Sequence, residues 1–176
     1  ERVHFEAPGA ERIESEMQRF RDWFNGPSEV DPVLKAGVAH FWFVTIHPFD
    51  DGNGRIARAI ADMALSQADG TKDRFYSMSS GIEKERKEYY VQLESAQRGG
   101  LDITKWLAWF LGCLDRTIED ARGTLGSVLH KAKLWQRINC GPINERQREV
   151  INRMLDEFKG HLTTSKYAKL AKCSTD

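Results

Sequence analysis

Three features of the sequence predict an all-α fold. Apolar residues recur at helical spacing in one segment after another, glycine and proline mostly punctuate the gaps between those segments, and strand-like alternation is confined to residues 1–8, where "RVHFEAP" is closed by Pro8 and Gly9. Six to eight helices and little strand are expected.

In "ERIESEMQRFRDWFNG", Ile13, Met17, Phe20 and Phe24 form the stripe of an amphipathic helix that ends at Gly26-Pro27. Asp31-Pro32 opens the second helix, because a proline in the first turn gives up an N–H that would be unpaired anyway. Its body, "VLKAGVAHFWFVTI", is apolar nearly all round and predicts a central, buried element. A third helix starts near Asn53, carries Ile56, Ile60, Met63 and Ala64 on one side, and stops near Asp69-Gly70. After the irregular "TKDRFYSMSSG", the run "IEKERKEYYVQLESAQRGG" reads as one helix, with Ser80 capping, Glu83 three residues on, and Tyr89, Tyr90 and Leu93 on one face. Asp102 or Thr104 caps a fifth helix, "ITKWLAWFLGCLDRTIEDAR". Gly123, Gly126 and Gly141-Pro142 then predict a softer region with a short helix over 127–138, and the main boundary of the chain falls near 123–142. Asn144 caps "ERQREVINRMLDEF". The closing "HLTTSKYAKLAKCSTD" takes Thr163 or Thr164 as cap, Tyr167 and Leu170 inward, and Cys173 in a turn. There is no internal repeat and no low-complexity tract.

The 176 residues suffice for one domain plus a small appendage. Lys+Arg and Asp+Glu each number 26, so net charge gives no global case for nucleic acid or an anionic membrane. No apolar run is long enough to span a membrane. The start, "ERVHFEAPGAER", has neither Met nor an apolar signal region and reads as a piece of a longer chain. Cys113, Cys140 and Cys173 are odd in number, far apart and outside C-x-x-C spacing, which argues against a zinc site or disulfide framework and for a reducing cytoplasm. The aromatic content points to a large core rather than a dimer surface, and a homodimer is left open.

The chemistry concentrates in "IHPFDDGNGRIAR", Ile46 to Arg58. Turn formers alone would make a solvated connection, but a plain loop has no need of a histidine before it and two arginines after it. A calcium loop fails on spacing. With Gly54 as its central glycine, the entry and exit ligands would be Phe49 and Ile60. Phosphate chemistry uses every residue. Gly52 and Gly54 let backbone N–H groups approach an anion, and a helix beginning near Asn53 adds its unpaired N–H groups and dipole. Arg55 and Arg58 share a face of the first turn, where two cations oppose the dipole unless a polyanion neutralises them. Asp51 is placed to hold a divalent cation, Mg2+ above all, against phosphate oxygens. His47, stiffened by Pro48, is the candidate general base. Together they imply phosphoryl or nucleotidyl transfer to a hydroxyl, and the P-loop signature is absent.

"HPFDDGNGRIAR" resembles the defining motif of the Fic family, H-x-F-x-(D/E)-G-N-G-R-x-x-R, at every fixed position, and the likeness extends over about residues 2–122 through "AHFWFVTIHPF" and "YYVQLESAQ". The resemblance implies an all-α core that transfers AMP from ATP to a Tyr, Thr or Ser hydroxyl of a target protein. His47 would deprotonate that hydroxyl, and Asp51 would bind Mg2+. Gly52, Asn53 and Gly54 would form the anion hole, and Arg55 and Arg58 would hold the outer phosphates. It further implies that Phe49 anchors the loop in the core and that Tyr89 and Gln97 line the adenine side, although Tyr89 also suits a plain core position. Residues 1–8, with Arg2, Val3, His4 and Phe5, would be a target-docking flap strand that pairs with an extended peptide. Many members of that family carry an inhibitory helix, (S/T)-x-x-x-E-(G/N). The nearest match here, Ser79 to Glu83, is followed by Lys84 and stands in the wrong place, so this chain is expected to lack autoinhibition. Domains are then expected at 1–122 (core), 123–142 (linker and helix) and 143–176, a partial winged-helix or helix-turn-helix segment with Lys159, Lys166, Lys169 and Lys172, whose complete form would contact DNA. Two other readings are a DNA-binding regulator that uses the core as a nucleotide or partner sensor, and a phosphotransferase on the same scaffold.

Overall fold

The computed structural model describes residues 6–71, 74–156 and 158–174. Eight helices run through them: α1 (Ala10–Asn25), α2 (Pro32–Ile46), α3 (Asn53–Asp69), α4 (Met78–Lys84), α5 (Arg86–Arg98), α6 (Thr104–Ile138), α7 (Glu145–Leu155) and α8 (Thr164–Ala171). No strand occurs among the described residues. The flap positions Arg2, Val3, His4 and Phe5 lie outside them. The chain falls into two compact units, Glu1–Arg122 and Gly123–Asp176.

In the first unit α2 is the central helix. Asp31 caps it by accepting from the N–H groups of Val33 and Leu34 at 2.9 and 3.2 Å. Ala36, Gly37, Ala39, His40, Phe43, Val44 and Ile46 are all buried along its length. Close neighbours explain the small residues. A Cβ on Gly37 would stand 3.0 Å from Leu107 Cδ2, and Trp106 Nε1 of α6 donates to the Gly37 carbonyl at 2.9 Å. Against α2 lies α3, and its inward face is Asn53, Ala57, Ala61, Ala64 and Leu65. Of the apolar stripe read from the sequence, Ala64 is buried and Ile60 packs against the core, while Ile56 and Met63 are 36% and 48% exposed. Alanines carry little hydrophobic signal, yet they let two helix backbones approach closely.

The expected single helix over 82–98 is two. Glu85 leaves helical geometry at φ −106°, ψ 26°, and its carboxylate is held by Arg116 of α6 through Nε and Nη2 at 2.6 and 2.7 Å. The first piece, α4, begins at Met78, so Ser80 is inside the helix and not its cap. Asp62 of α3 satisfies the Met78 N–H at 3.2 Å instead. In α5, Tyr89 and Leu93 are buried four residues apart, while Tyr90, about 100° round the helix, is 54% exposed.

The expected break near Gly123 and Gly126 is also absent, because α6 runs unbroken to Ile138. Neither glycine has a positive φ. A mid-helix glycine costs about 1 kcal/mol relative to alanine, too little to end a helix anchored at its N-terminal end by Trp106 and Phe110. In the second unit, Asn144 and Gln147 form a reciprocal capping box at 2.9 and 3.0 Å. Thr163 caps α8 by accepting from the Lys166 N–H at 3.3 Å. Val150, Ala168 and Ala171 are its buried apolar side chains, and Tyr167 and Leu170 are half-buried.

Candidate active site at the entrance of α3

His47 ends α2 in the left-handed region, at φ 52°, ψ 55°. For a residue with a Cβ this costs on the order of 1–2 kcal/mol and persists only where the surroundings enforce it. Here the last turn enforces it: the His47 N–H donates to the Phe43 carbonyl at 3.1 Å. Its ring Nδ1 lies 3.3 Å from the Val44 carbonyl, which can only accept. The neutral ring therefore carries its proton on Nδ1 and presents the Nε2 lone pair from an exposed side chain, as a general base requires.

Asn53 shapes the loop that follows. It is 2% exposed, and its amide brackets one residue: Nδ2 donates to the Phe49 carbonyl at 2.5 Å and Oδ1 accepts from the Phe49 N–H at 3.1 Å. Phe49 is not the core anchor expected of it. Its ring is 50% exposed and only grazes Phe43, at 6.4 Å between centroids. What holds the loop is the Phe49 backbone, gripped by a buried amide.

Gly52 caps α3 at φ 88°, ψ −3°, a conformation that disfavours any side chain. The helical ladder opens with the Ile56 N–H on the Gly52 carbonyl, 3.0 Å. The N–H groups of Asn53, Gly54 and Arg55 precede it at the positive end of the helix dipole. The guanidiniums fold back over this entrance. Arg55 Nη2 lies 3.5 Å from where a Gly52 Cβ would be, and Arg58 Nη1 lies 3.5 Å from a Gly54 Cβ. Asp51 balances part of the charge: Oδ1 accepts from the Gly52 N–H at 2.6 Å and Oδ2 from Arg55 Nη2 at 2.9 Å. Arg58 is half-buried, with no carboxylate partner among the described residues. Its charge reaches the core beneath, where His40 is fully buried. Burial first, and Arg58 second, hold the His40 pKa down to about 3, so this ring is neutral.

His40 Nε2 contacts the Tyr89 hydroxyl at 3.2 Å. Tyr89 is 3% exposed and its pKa is pushed up to about 12, chiefly by burial, which places it in the core. Gln97 is half-buried, and its Nε2 donates to Thr45 Oγ1 at 3.3 Å, tying α5 to α2. Neither lines the cleft at the arginines. That cleft, about 650 Å³, is lined by Arg55 and Arg58 on one side and Ser79, Ser80, Glu83 and Lys84 of α4 on the other. The sequence presented these α4 residues as helix-start chemistry and as a failed match to the inhibitory motif, not as a wall of this cleft. The available signal was helical periodicity, since Met78, Gly81 and Ile82 are the buried face and 79, 80, 83 and 84 are what remains.

No group of three or more metal-ligating side chains occurs among the described residues. Asp51, 91% exposed beside the α3 entrance, is the kind of lone carboxylate Mg2+ accepts, because that ion keeps several waters and takes one or two carboxylates plus substrate phosphates.

Residues 1–65 match the family model described as Fic/DOC family. The chain is 34% identical over 114 residues to "Protein adenylyltransferase Fic" of Drosophila willistoni, covering 64% of this chain and 21% of that protein. With the protein of the same name from Culex quinquefasciatus it shares 31% over 143 residues, 80% of this chain and 27% of that one. It thus spans about a quarter of the length of these relatives. A Fic family protein from Desulfovibrio desulfuricans G20 superposes with a TM-score of 0.59 at 22% identity, over 96% of this chain and 45% of its own. The α2–loop–α3 entrance, the motif it carries and these likenesses lead to one conclusion: the chain carries a domain of the Fic/DOC family.

Proposed function

We propose that the chain is a protein adenylyltransferase, transferring AMP from Mg-ATP to a Tyr, Thr or Ser hydroxyl of a protein target in the cytoplasm. The observation that supports this reading is an exposed His47, tied through Nδ1 to the Val44 carbonyl, standing five residues before a glycine-capped helix entrance over which two arginines fold. In this reading the phosphates lie on the N–H groups of Asn53, Gly54 and Arg55, with Arg55 and Arg58 on the outer ones. Asp51 holds Mg2+, whose chemistry is to neutralise phosphate oxygens. His47 Nε2 takes the proton of the target hydroxyl. The new bond joins that oxygen to the α-phosphorus as the α–β bridging bond breaks, and pyrophosphate leaves in line. The Val44 carbonyl stabilises the imidazolium that results through the Nδ1 hydrogen bond. The test is label transfer from α-labelled ATP to protein. Wild type should label, and His47→Ala should lose at least 100-fold, roughly the worth of a general base. Label from γ-labelled ATP instead would establish a phosphotransferase, and label from neither would leave a nucleotide sensor.

A second partner has its own observation. Residues 1–122 hold 16 Lys/Arg against 21 Asp/Glu, whereas 123–176 hold 10 against 5, so net charge near zero hides a basic C-terminal unit. Lys166, Lys169 and Lys172 succeed one another along α8 and its end, with no carboxylate partner among the described residues. This suits a DNA backbone. Fluorescence anisotropy with duplex DNA tests it: affinity should fall steeply with salt and drop on Lys166→Ala/Lys169→Ala.

A further inference from the structure

Opposite the arginines, the cleft has a wall that the transfer reaction as derived does not use. In α4, Met78 and Ile82 are 0% and 2% exposed, and Gly81 sits so tightly on α6 that a Cβ there would stand 2.1 Å from Thr117 Oγ1 and 3.2 Å from Cys113 Sγ. The start of the helix is tied to α3, because Asp62 accepts from the Met78 N–H and pairs with the nearly buried Arg74 at 3.1 Å. The helix is therefore fixed in place, and its remaining face, Ser79, Ser80, Glu83 and Lys84, looks across at Arg55 and Arg58.

The chemistry of that face suits an anion. The hydroxyls of Ser79 and Ser80 are donors without a described hydrogen-bond partner, beside a cleft that already holds two guanidiniums. Lys84 adds an ammonium. It now pairs with Asp120 at 2.6 Å, but both side chains are about 60% exposed, and such a pair is worth little, so exchange for a phosphate is inexpensive. Glu83 is the one carboxylate in the lining, and Arg86 stands 3.8 Å from it. The lining side chains carry three positive charges against the one negative charge of Glu83, and Arg58 alone of the three cations lacks a carboxylate partner among the described residues, in a volume inside the range of small-molecule sites.

We propose that Ser79, Ser80 and Lys84 of α4 form, with Arg58, the seat for the terminal phosphate of a nucleoside triphosphate, and so set the preference for triphosphate over diphosphate. The proposal rests on the adenylyltransferase reading for the direction in which the phosphate chain runs, from the α3 entrance outward past the arginines. Hydroxyls and an ammonium read a terminal phosphate through charge and hydrogen bonds that a diphosphate, ending one group earlier, leaves unmade.

The experiment is equilibrium binding of Mg-ATP and Mg-ADP by calorimetry, in a His47→Ala background so that no chemistry intervenes. Lys84→Ala and Ser79→Ala/Ser80→Ala are compared with Lys87→Ala, an exposed lysine outside the cleft, and melting curves confirm folding. Each α4 variant should lower ATP affinity by about tenfold, the worth of one charge-assisted contact, leave ADP within about twofold, and so erase the ATP:ADP preference. Lys87→Ala should change neither. An unaltered ATP:ADP ratio, or an equal loss for both nucleotides, overturns the proposal. Should Lys84→Ala fail to fold, Lys84→Gln gives the same readout. If the protein with His47 intact labels no target while the ratio still depends on α4, the phosphate seat stands and the transferase reading falls. If neither nucleotide binds, both fall.

Discussion

At the scale of single residues, Asn53 shows how a motif position can act through structure. Its side chain is spent on the Phe49 backbone, so any contribution to an anion site is limited to its N–H at the mouth of α3. Asn53→Ala would leave the Phe49 N–H and carbonyl without their partner, at a cost of about 1–3 kcal/mol. The expected outcome is a lower urea midpoint together with a loss of label transfer larger than the loss of stability explains, and Asn53→Asp should restore only the half that accepts from the N–H. The histidine, the glycines and the arginines were legible because the chemistry occupies consecutive positions, where spacing alone fixes their relation. Phe49 was not, because its being apolar says nothing about whether its ring or its backbone is held.

At the scale of helices, what the sequence concealed was mostly small residues and boundaries. The third helix turns alanines inward, and of its visible apolar stripe Ala64 and Ile60 meet the core while Ile56 and Met63 face outward, so hydrophobic periodicity named the element and placed its face only in part. The α4 wall was hidden because its start lies two residues before the apparent cap at Ser80. Gly81 offers a direct test of how that wall is fixed. Gly81→Ala should destabilise the protein by about 1–3 kcal/mol through overpacking against Thr117, and Thr117→Ala should recover much of that loss in the double variant, seen as a coupling energy in a double-mutant cycle. The opposite sign is expected farther along α6. Nothing stands within 4 Å of a Cβ on Gly123 or Gly126, and neither has a positive φ, so each change to Ala should stabilise by up to about 1 kcal/mol in thermal melts.

At the scale of the whole molecule, the core of the first unit is built around a neutral histidine. His40 ionises with a pKa of about 3 in the folded chain and about 6.5 when unfolded. Protons therefore bind the unfolded state first. Stability is complete above about pH 6.5 and declines as pH falls towards 3, with a limiting slope near 1.4 kcal/mol per pH unit from this group alone. Urea titrations of tryptophan fluorescence across that window should show the decline, and His40→Phe should flatten it. The two-unit organisation was only partly readable from the sequence, since the paired glycines at 123 and 126 mark a change in the packing around α6 rather than the end of a helix.

Asp51 gives the site a sign it would otherwise lack. A carboxylate that already occupies the Gly52 N–H and the Arg55 guanidinium is a resident competitor for any incoming nucleotide, and a cation that draws it away lifts the competition. Magnesium and triphosphate should thus enter as allies, each raising the other's affinity by the same factor, as reciprocity between two ligands demands. Asp51→Asn should uncouple them: calorimetry in EDTA should find ATP bound more tightly than by the native protein, while added magnesium brings little further gain.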